Sequence, residues 1–390
     1  MAATEISHEA VVVGGGIVGA ALTLALHRAG VDVALLERGA QPQAWRAQDD
    51  DLRVYAISRT SARFLDALGV WAEIASRRIS AYRAMRVWDE HPESALQFDA
   101  AELAVPELGH IVENSLMLDA LWRKLELVPR YLNACVKGLV VEDDAARLTL
   151  ADGRAIAAKL VLAADGAESQ LRLWAGIECL RWNYPQQAVV CHVKTERPHG
   201  GVASQRFLPE GPLAFLPLAD GRSSIVWSAT HAEELLALND ADFCNRLAAA
   251  VQFQFGAILG TTRRVAYPLR LLHASRYVQP RLALVGDAAH VVHPLAGQGV
   301  NMGLADAAAL VDVIVEARKR SADIGALRGL KRYERTRKAD NLEMLAMTDG
   351  LHRAFGHRSA AWDRLRNAGM SAVNRLTPLK NLLARRAAGS

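Results

Sequence analysis

Two glycine-rich stretches, far apart in the chain, carry residue types suited to an anionic or electron-rich ligand. The first is GGGIVG at 14–19, in which Gly14, Gly16 and Gly19 make the pattern GxGxxG. The second is GDAAHVVHPLAGQGVNMGLAD at 286–306, which holds Asp287, His290, His293, Pro294, Gly297, Gln298, Gly299, Val300 and Asn301. A loop that delivers backbone N–H groups to a helix N-terminus favours phosphate, or a ring on which negative charge develops. In GxGxxG one glycine makes the tight turn, one lets a pyrophosphate approach the backbone, and one lets the helix pack close to the strand. Glu37, with Arg38 beside it, follows at roughly the 20-residue distance where the dinucleotide fingerprint places an acid for a ribose hydroxyl.

These loops need strands and helices to hold them. Residues 10–13 and 33–36 read as short buried strands around a helix that Gly30 stops, a βαβ unit. The uncharged run 10–27 is long enough to raise the question of a membrane span or signal peptide. It contains four glycines and has no basic start, so a nucleotide-binding strand, turn and helix is the better reading. Arg53 stands just ahead of an amphipathic helix, as a surface cation or as a positive group near the ligand, and Asn114 opens another helix. Residues 138–165 alternate as a meander that ends on Asp165-Gly166.

From 187 to 230 the pattern changes to short strands with turns near 209–211 and 220–221, a mostly antiparallel sheet. Within it Phe215, Leu216 and Pro217 fit either an apolar substrate pocket or ordinary core. Helices follow, then a strand near 264–267, and the first unit resumes at 282. The expected division is 1–83, 102–178 and 264–320 for a discontinuous nucleotide-binding domain. The inserted substrate-binding sheet takes 84–101 and 179–263, and a helical C-terminal region takes 321–390. Ligand pockets form readily between two such units.

Composition narrows the class. With 51% hydrophobic and 23% charged residues in 390, the chain reads as soluble and globular. Its four cysteines include no CxxC pair, which argues against a metal cluster or disulfide framework and fits a reducing cytosol. Residues 318–390 carry 17 Lys and Arg against 6 Asp and Glu, so the basic charge is concentrated in the tail. Trp362, Leu365, Met370, Val373 and Leu376 recur there at helical spacing between arginines, and Thr377-Pro378 reads as the start of a further helix. Such a helix packs on the protein, docks a partner, or lies on an anionic membrane. Nucleic acid is disfavoured, because no recognised fold or aromatic platform accompanies the charge.

Four motifs in order, GGGIVG at 14–19, DLRVYAIS at 51–58, AADG at 163–166 and the 286–306 stretch, resemble the single-component FAD-dependent aromatic hydroxylases related to p-hydroxybenzoate hydroxylase. HPLAGQGVNMGLAD at 293–306, VENSLMLDAL at 112–121 and YERTRKADN at 333–341 resemble, more narrowly, the ubiquinone-biosynthesis FAD-dependent monooxygenases. The resemblance covers residues 8–350 and weakens in the last forty. It implies an α/β fold: a Rossmann-like FAD-binding domain of the glutathione reductase type, an inserted antiparallel sheet, and a helical C-terminus.

By position, Gly14, Gly16 and Gly19 would take the FAD pyrophosphate and Glu37, with Arg38 and Val136 nearby, the adenosine end. Arg53 would lie near phosphate and flavin, Asn114 would reach the cofactor, and Asp287 would hold the ribityl region. Asp165 would serve FAD and reduced nicotinamide. Gly297, Gln298, Gly299, Val300 and Asn301 would run along the flavin ring, with Pro294 beside its oxygen-reactive face.

The implied chemistry is hydroxylation of a polyprenylated phenol with NAD(P)H and O2 through a flavin C4a-hydroperoxide, in a dry site and without an assigned acid or base side chain. No metal site is expected, since His290 and His293 lack a third ligand at suitable spacing. They fit proton handling or, preferably, structural hydrogen bonding. Other readings are a hydroxylase of a small soluble aromatic acid, a non-oxygenating flavin reductase, and a non-catalytic scaffold. The expected location is the cytoplasm, with contact to the inner face of a membrane and to other ubiquinone-biosynthesis proteins left open.

Overall fold

The computed structural model describes residues 6–89, 95–292 and 297–356. Ile6–Val13, apolar from Ala10 onward, is a central strand, flanked in parallel by Val33–Leu36 and by Ala155–Ala163. Both faces of such a strand are covered, which explains four consecutive buried apolar residues at its end rather than an alternation. The helix Ile17–Arg28 makes the crossover. Strands Val136–Val141, Ala146–Leu150 and Ala155–Ala163 form the expected antiparallel meander, and Leu282–Leu284 returns in parallel beside the last of them.

A second, nine-stranded sheet is mostly antiparallel and runs from His290–Val291 through Val265–Ala274, Cys179–Thr195, Ser223–Ala229, Gly211–Pro217 and Val202–Leu208 to Ala84–Trp88 and Leu96–Asp99. Its outer face buries Phe215, Ile225 and Trp227 against the helices Ala232–Ala237 and Asp240–Ala250. Its inner face turns Ala188, Val190 and Leu271 toward Leu52 and Met302. Val265–Ala274 corrects the expected boundary at 264. This ten-residue strand pairs with Cys179–Thr195 and so belongs to the second sheet. The proline at 268, which cannot donate to a ladder, hides its length from a reading of periodicity. A small sheet of Val54–Ser58, Gly109–Glu113 and Ser80–Tyr82 joins the two.

Two long helices, Gln298–Lys319 and Leu327–Gly356, are the last elements among the described residues. Helix Gln298–Lys319 crosses Ile17–Arg28 so closely that a Cβ added at Gly303 would lie 2.5 Å from Val18 Cγ2. No helix among the described residues is long and apolar enough to cross a membrane. The basic tail beyond 356, including Trp362 and Thr377, lies outside the described residues.

Candidate functional site

The two glycine loops open onto one cavity of about 450 Å³ between the sheets. Gly14 and Gly19 are required by close contact. A Cβ at Gly14, where φ is +106°, would lie 2.3 Å from the Ala164 carbonyl oxygen, and one at Gly19 would lie 1.9 Å from that of Gly14. Gly16 and Gly299 differ. Both line the cavity, and an added Cβ at either would meet nothing within 4 Å. Their missing side chains leave room for a ligand.

Two helix N-termini reach this space. Helix Ile17–Arg28 begins after Gly16 with no side-chain cap and no acid in its first turn. Helix Gln298–Lys319 begins after Gly297, held at φ 61°, again without a side-chain cap or first-turn acid. Uncapped N–H groups and the positive end of the dipole favour an anion at the first and an electron-rich group at the second.

Glu37 is anchored beside the first loop. Its Oε2 accepts from Gly15 N at 2.6 Å and its Oε1 from Gly39 N at 2.8 Å. Arg38 is exposed next to it. Val136 opens its strand two residues after Ala134, whose N–H donates to the Glu37 carbonyl at 2.9 Å. Trp122 was not singled out from the sequence, where a tryptophan in an apolar helix reads as core. Its Nε1 donates to the Gly15 carbonyl at 2.9 Å and its ring covers that glycine, so it braces the loop.

Arg53 and Asn114 line the cavity, with the Arg53 guanidinium 5.7 Å from the centre of the Tyr267 ring. Asp287 presents its carboxyl to the same space. Asp287 is open to the cavity, yet the protein packed around it desolvates that carboxyl and pushes it up, while the charges of His290, Arg53 and Arg270 oppose the shift. Asp165 lies between the lining residues Ala164 and Gly166. Its Oδ2 accepts from Gln170 N at 3.0 Å, whereas its buried Oδ1 has no hydrogen-bond partner among the described residues. Burial raises this carboxyl too. Arg172 ties the turn after Asp165 to the loop after Asp287 by donating to the carbonyls of Ala167 at 2.7 Å and Ala288 at 2.8 Å.

Several expected positions face elsewhere. Gln298 and Asn301 line a separate groove of about 400 Å³ beside helices Arg59–Ala67 and Leu327–Gly356, while Gly297 and Val300 line the cavity. The Asn301 amide accepts from Ser58 N at 2.9 Å and donates to the Ala56 carbonyl at 2.8 Å, stitching the helix to strand Val54–Ser58. In Gly211–Pro217, Leu216 lines the cavity, but Phe215 is 1% exposed in the outer core, stacked 4.6 Å from Phe255. Strand alternation puts Pro217 on the Phe215 side. Of the three proposed pocket residues, Leu216 alone lines the cavity. Pro294 and His293 lie outside the described residues.

His290 is tied into a buried charge cluster. Its Nε2 lies 2.5 Å from Asp306 Oδ2, and both groups are buried. Asp306 also accepts from Gly286 N, Arg337 Nε and Asn341 Nδ2. Burial opposes its ionisation, yet His290 and Arg337 outweigh burial and hold the carboxyl below its usual range. Tyr333, Arg337 and Asn341 recur every four residues on one helix face, a signal for this cluster that polar residues in an apolar stripe could have provided.

The model for the FAD binding domain matches residues 7–347. The 3-demethoxyubiquinol 3-hydroxylase of Escherichia coli is 40% identical over 390 residues, with 98% of each chain covered. The chain belongs to the ubiquinone-biosynthesis FAD-dependent monooxygenase family. The mitochondrial ubiquinone biosynthesis monooxygenase of Homo sapiens is 36% identical, covering 97% of this chain and 92% of its own. The fold is that of the flavin monooxygenases. The p-nitrophenol 4-monooxygenase of Pseudomonas putida superposes with a TM-score of 0.79 at 21% identity over 98% of each chain. A Klebsiella pneumoniae HpxO variant complexed with FAD superposes with a TM-score of 0.75 at 20% identity, over 97% of this chain and 99% of that one. The open glycine cradle, two uncapped helix starts and the unpartnered Asp165 oxygen fit the cofactor of this family.

Proposed function

We propose that the chain hydroxylates the aromatic ring of a polyprenylated phenol in ubiquinone biosynthesis, with FAD as cofactor, NAD(P)H as transient reductant and O2 as co-substrate. The observation that carries this reading is the convergence of both glycine loops and two uncapped helix N-termini on one cavity. Family membership supports the same chemistry: the relative named for hydroxylation of a ubiquinol precursor matches along 98% of the chain.

In this reading Gly14, Gly16 and Gly19 receive the pyrophosphate at the start of Ile17–Arg28, and Glu37 accepts from the ribose. Arg53 neutralises phosphate, while Asn114, Asp165 and Asp287 hydrogen-bond the cofactor's polar linker. Backbone N–H groups from Gly297 to Val300 favour electron density on the ring. Bound FAD supplies electron transfer and oxygen activation. The chain supplies orientation and dryness: Tyr82, Met85, Leu216, Val226 and Val292 wall the cavity with apolar surface that excludes water.

The test is direct. Purified protein should be yellow, should oxidise NAD(P)H in the presence of a prenylated phenol, and should yield a product heavier by one oxygen atom. Colourless protein that cannot be reconstituted with FAD would overturn the reading. Because a polyprenyl phenol resides in the bilayer, we also propose peripheral membrane contact through the basic residues after 356. Co-sedimentation with anionic liposomes at low salt should recover the protein, and absence from the pellet would remove that part.

A further inference from the structure

The wall that the nine-stranded sheet gives the cavity is apolar with one exception. Met85, Ala203, Gln205, Ala214, Leu216 and Val226 line the space from four neighbouring strands. Met85 is opposite Ala203, Gln205 is opposite Ala214, and Ala214 is opposite Val226. Opposed residues share a face, as do residues two apart along a strand, so these six form one surface. Gln205 is its polar member.

Other polar groups nearby are turned away. Ser204 borders the cavity but pairs with Phe215, so its side chain belongs to the outer face. Arg86 and Arg206, on the strands of Met85 and Gln205, take the outer face as well. Arg86 lies over the Trp88 ring, and Arg206 donates to the carbonyls of Asp89 at 2.8 Å and Ala250 at 2.6 Å. Tyr82 of the small sheet packs its hydroxyl against Gly109, where an added Cβ would lie 2.7 Å from that oxygen.

The Gln205 carboxamide has both room and capacity. The residue is partly exposed at the cavity, and no hydrogen bond holds its side chain among the described residues. Ala203, two residues before it, and Ala214, opposite it, project only a methyl group each and leave space over the amide. This wall adjoins the end of the cavity where helix Gln298–Lys319 begins. Ala56 packs with Met85, Ala203 and Leu216, and a Cβ added at Gly297 would lie 3.2 Å from Ala56 Cβ. A ligand on the wall therefore stands beside the place that the cofactor ring takes in the monooxygenase reading.

A carboxamide donates through its nitrogen and accepts through its oxygen, so it matches a hydroxyl, which does both. A carboxylate would find a donor here but no cation on the wall to balance its charge. We propose that Gln205 is a specificity-determining residue that hydrogen-bonds the ring hydroxyl of the substrate. The proposal rests on the monooxygenase reading and deepens it: the wall selects a neutral phenol over an aromatic acid and lays the prenyl tail along Met85, Leu216 and Val226.

The experiment titrates oxidised, FAD-loaded protein with ortho-geranylphenol and with geranylbenzene, which lacks the hydroxyl, following the flavin absorbance. Intact protein should bind the phenol about tenfold more tightly. Gln205→Leu should bring that ratio toward one with FAD content unchanged, and Gln205→Glu, which keeps an acceptor, should recover part of it. Leu216→Ala should weaken both ligands alike and keep the ratio. Should Gln205→Leu fail to fold, Gln205→Ala carries the same comparison. A ratio unchanged in the folded variant overturns the proposal, as does intact protein that binds both ligands equally. Loss of FAD from the variant with the ratio intact places the amide on the cofactor and overturns it too. Each of these results leaves ring hydroxylation standing, provided that intact protein hydroxylates ortho-geranylphenol. Intact protein that neither binds nor hydroxylates the phenol removes both the proposal and the reading beneath it.

Discussion

Arg337 Nε donates to Asp306 Oδ1 across 2.8 Å, and the two groups belong to different helices with both side chains buried. Asp306 also takes the Gly286 N–H and faces His290. One ion pair therefore locks the loop carrying Asp287 to the helix Leu327–Gly356. Removing one partner from such a pair leaves an uncompensated charge in a site with little water.

Arg337→Leu should thus destabilise the protein by about 3 kcal/mol or more, measured as the urea midpoint at pH 7. FAD retention should fall with it, because the loop loses its clamp. A variant as stable as the parent would show that His290 alone compensates Asp306.

Gly19 and Gly299 should respond differently to the same change. Gly19→Ala forces a methyl group against the Gly14 carbonyl and should cost about 1–3 kcal/mol of stability. Gly299→Ala meets no protein atom and should leave the melting temperature of the apoprotein unchanged while weakening FAD binding. Equal losses of stability in both variants would contradict the open cradle.

Phe215 and Leu216 are adjacent in sequence and opposite in role. Phe215→Ala should cost about 3–5 kcal/mol of stability through the cavity it leaves in the outer core. Leu216→Ala should alter KM for the prenylated phenol with a smaller stability loss. Steady-state kinetics beside denaturant titration separates the two, and a KM effect confined to Phe215→Ala would reverse the assignment.

Stability should fall with acid well before the carboxylates titrate. Burial holds His192 and His273 near 4 in the folded protein, against an ordinary value of 6.5. Between those values the unfolded chain binds the extra protons. The stabilisation is therefore full above about pH 6.5 and is lost as pH falls toward 4, with a slope of up to about 1.4 kcal/mol per pH unit for each histidine. Urea titrations across that range should show the slope, and His273→Gln should remove about half of it.

Much of the site was legible in the chain because its information is local. GxGxxG after an apolar run, Glu37 at the end of the next strand, and a glycine loop opening a long apolar helix each depend on short-range sterics and helix geometry. Those residues declared the nucleotide-binding unit and the second loop that faces it. Which side each residue turns was decided only by packing. Alternation says that Phe215 and Leu216 point apart, but the helices covering the outer face determine which one meets the cavity. The same holds for Gln298 and Asn301, turned from the cavity by the strand their helix packs against. The Asp306–Arg337 pair exists only where distant segments exclude water together, and no local pattern encodes that exclusion.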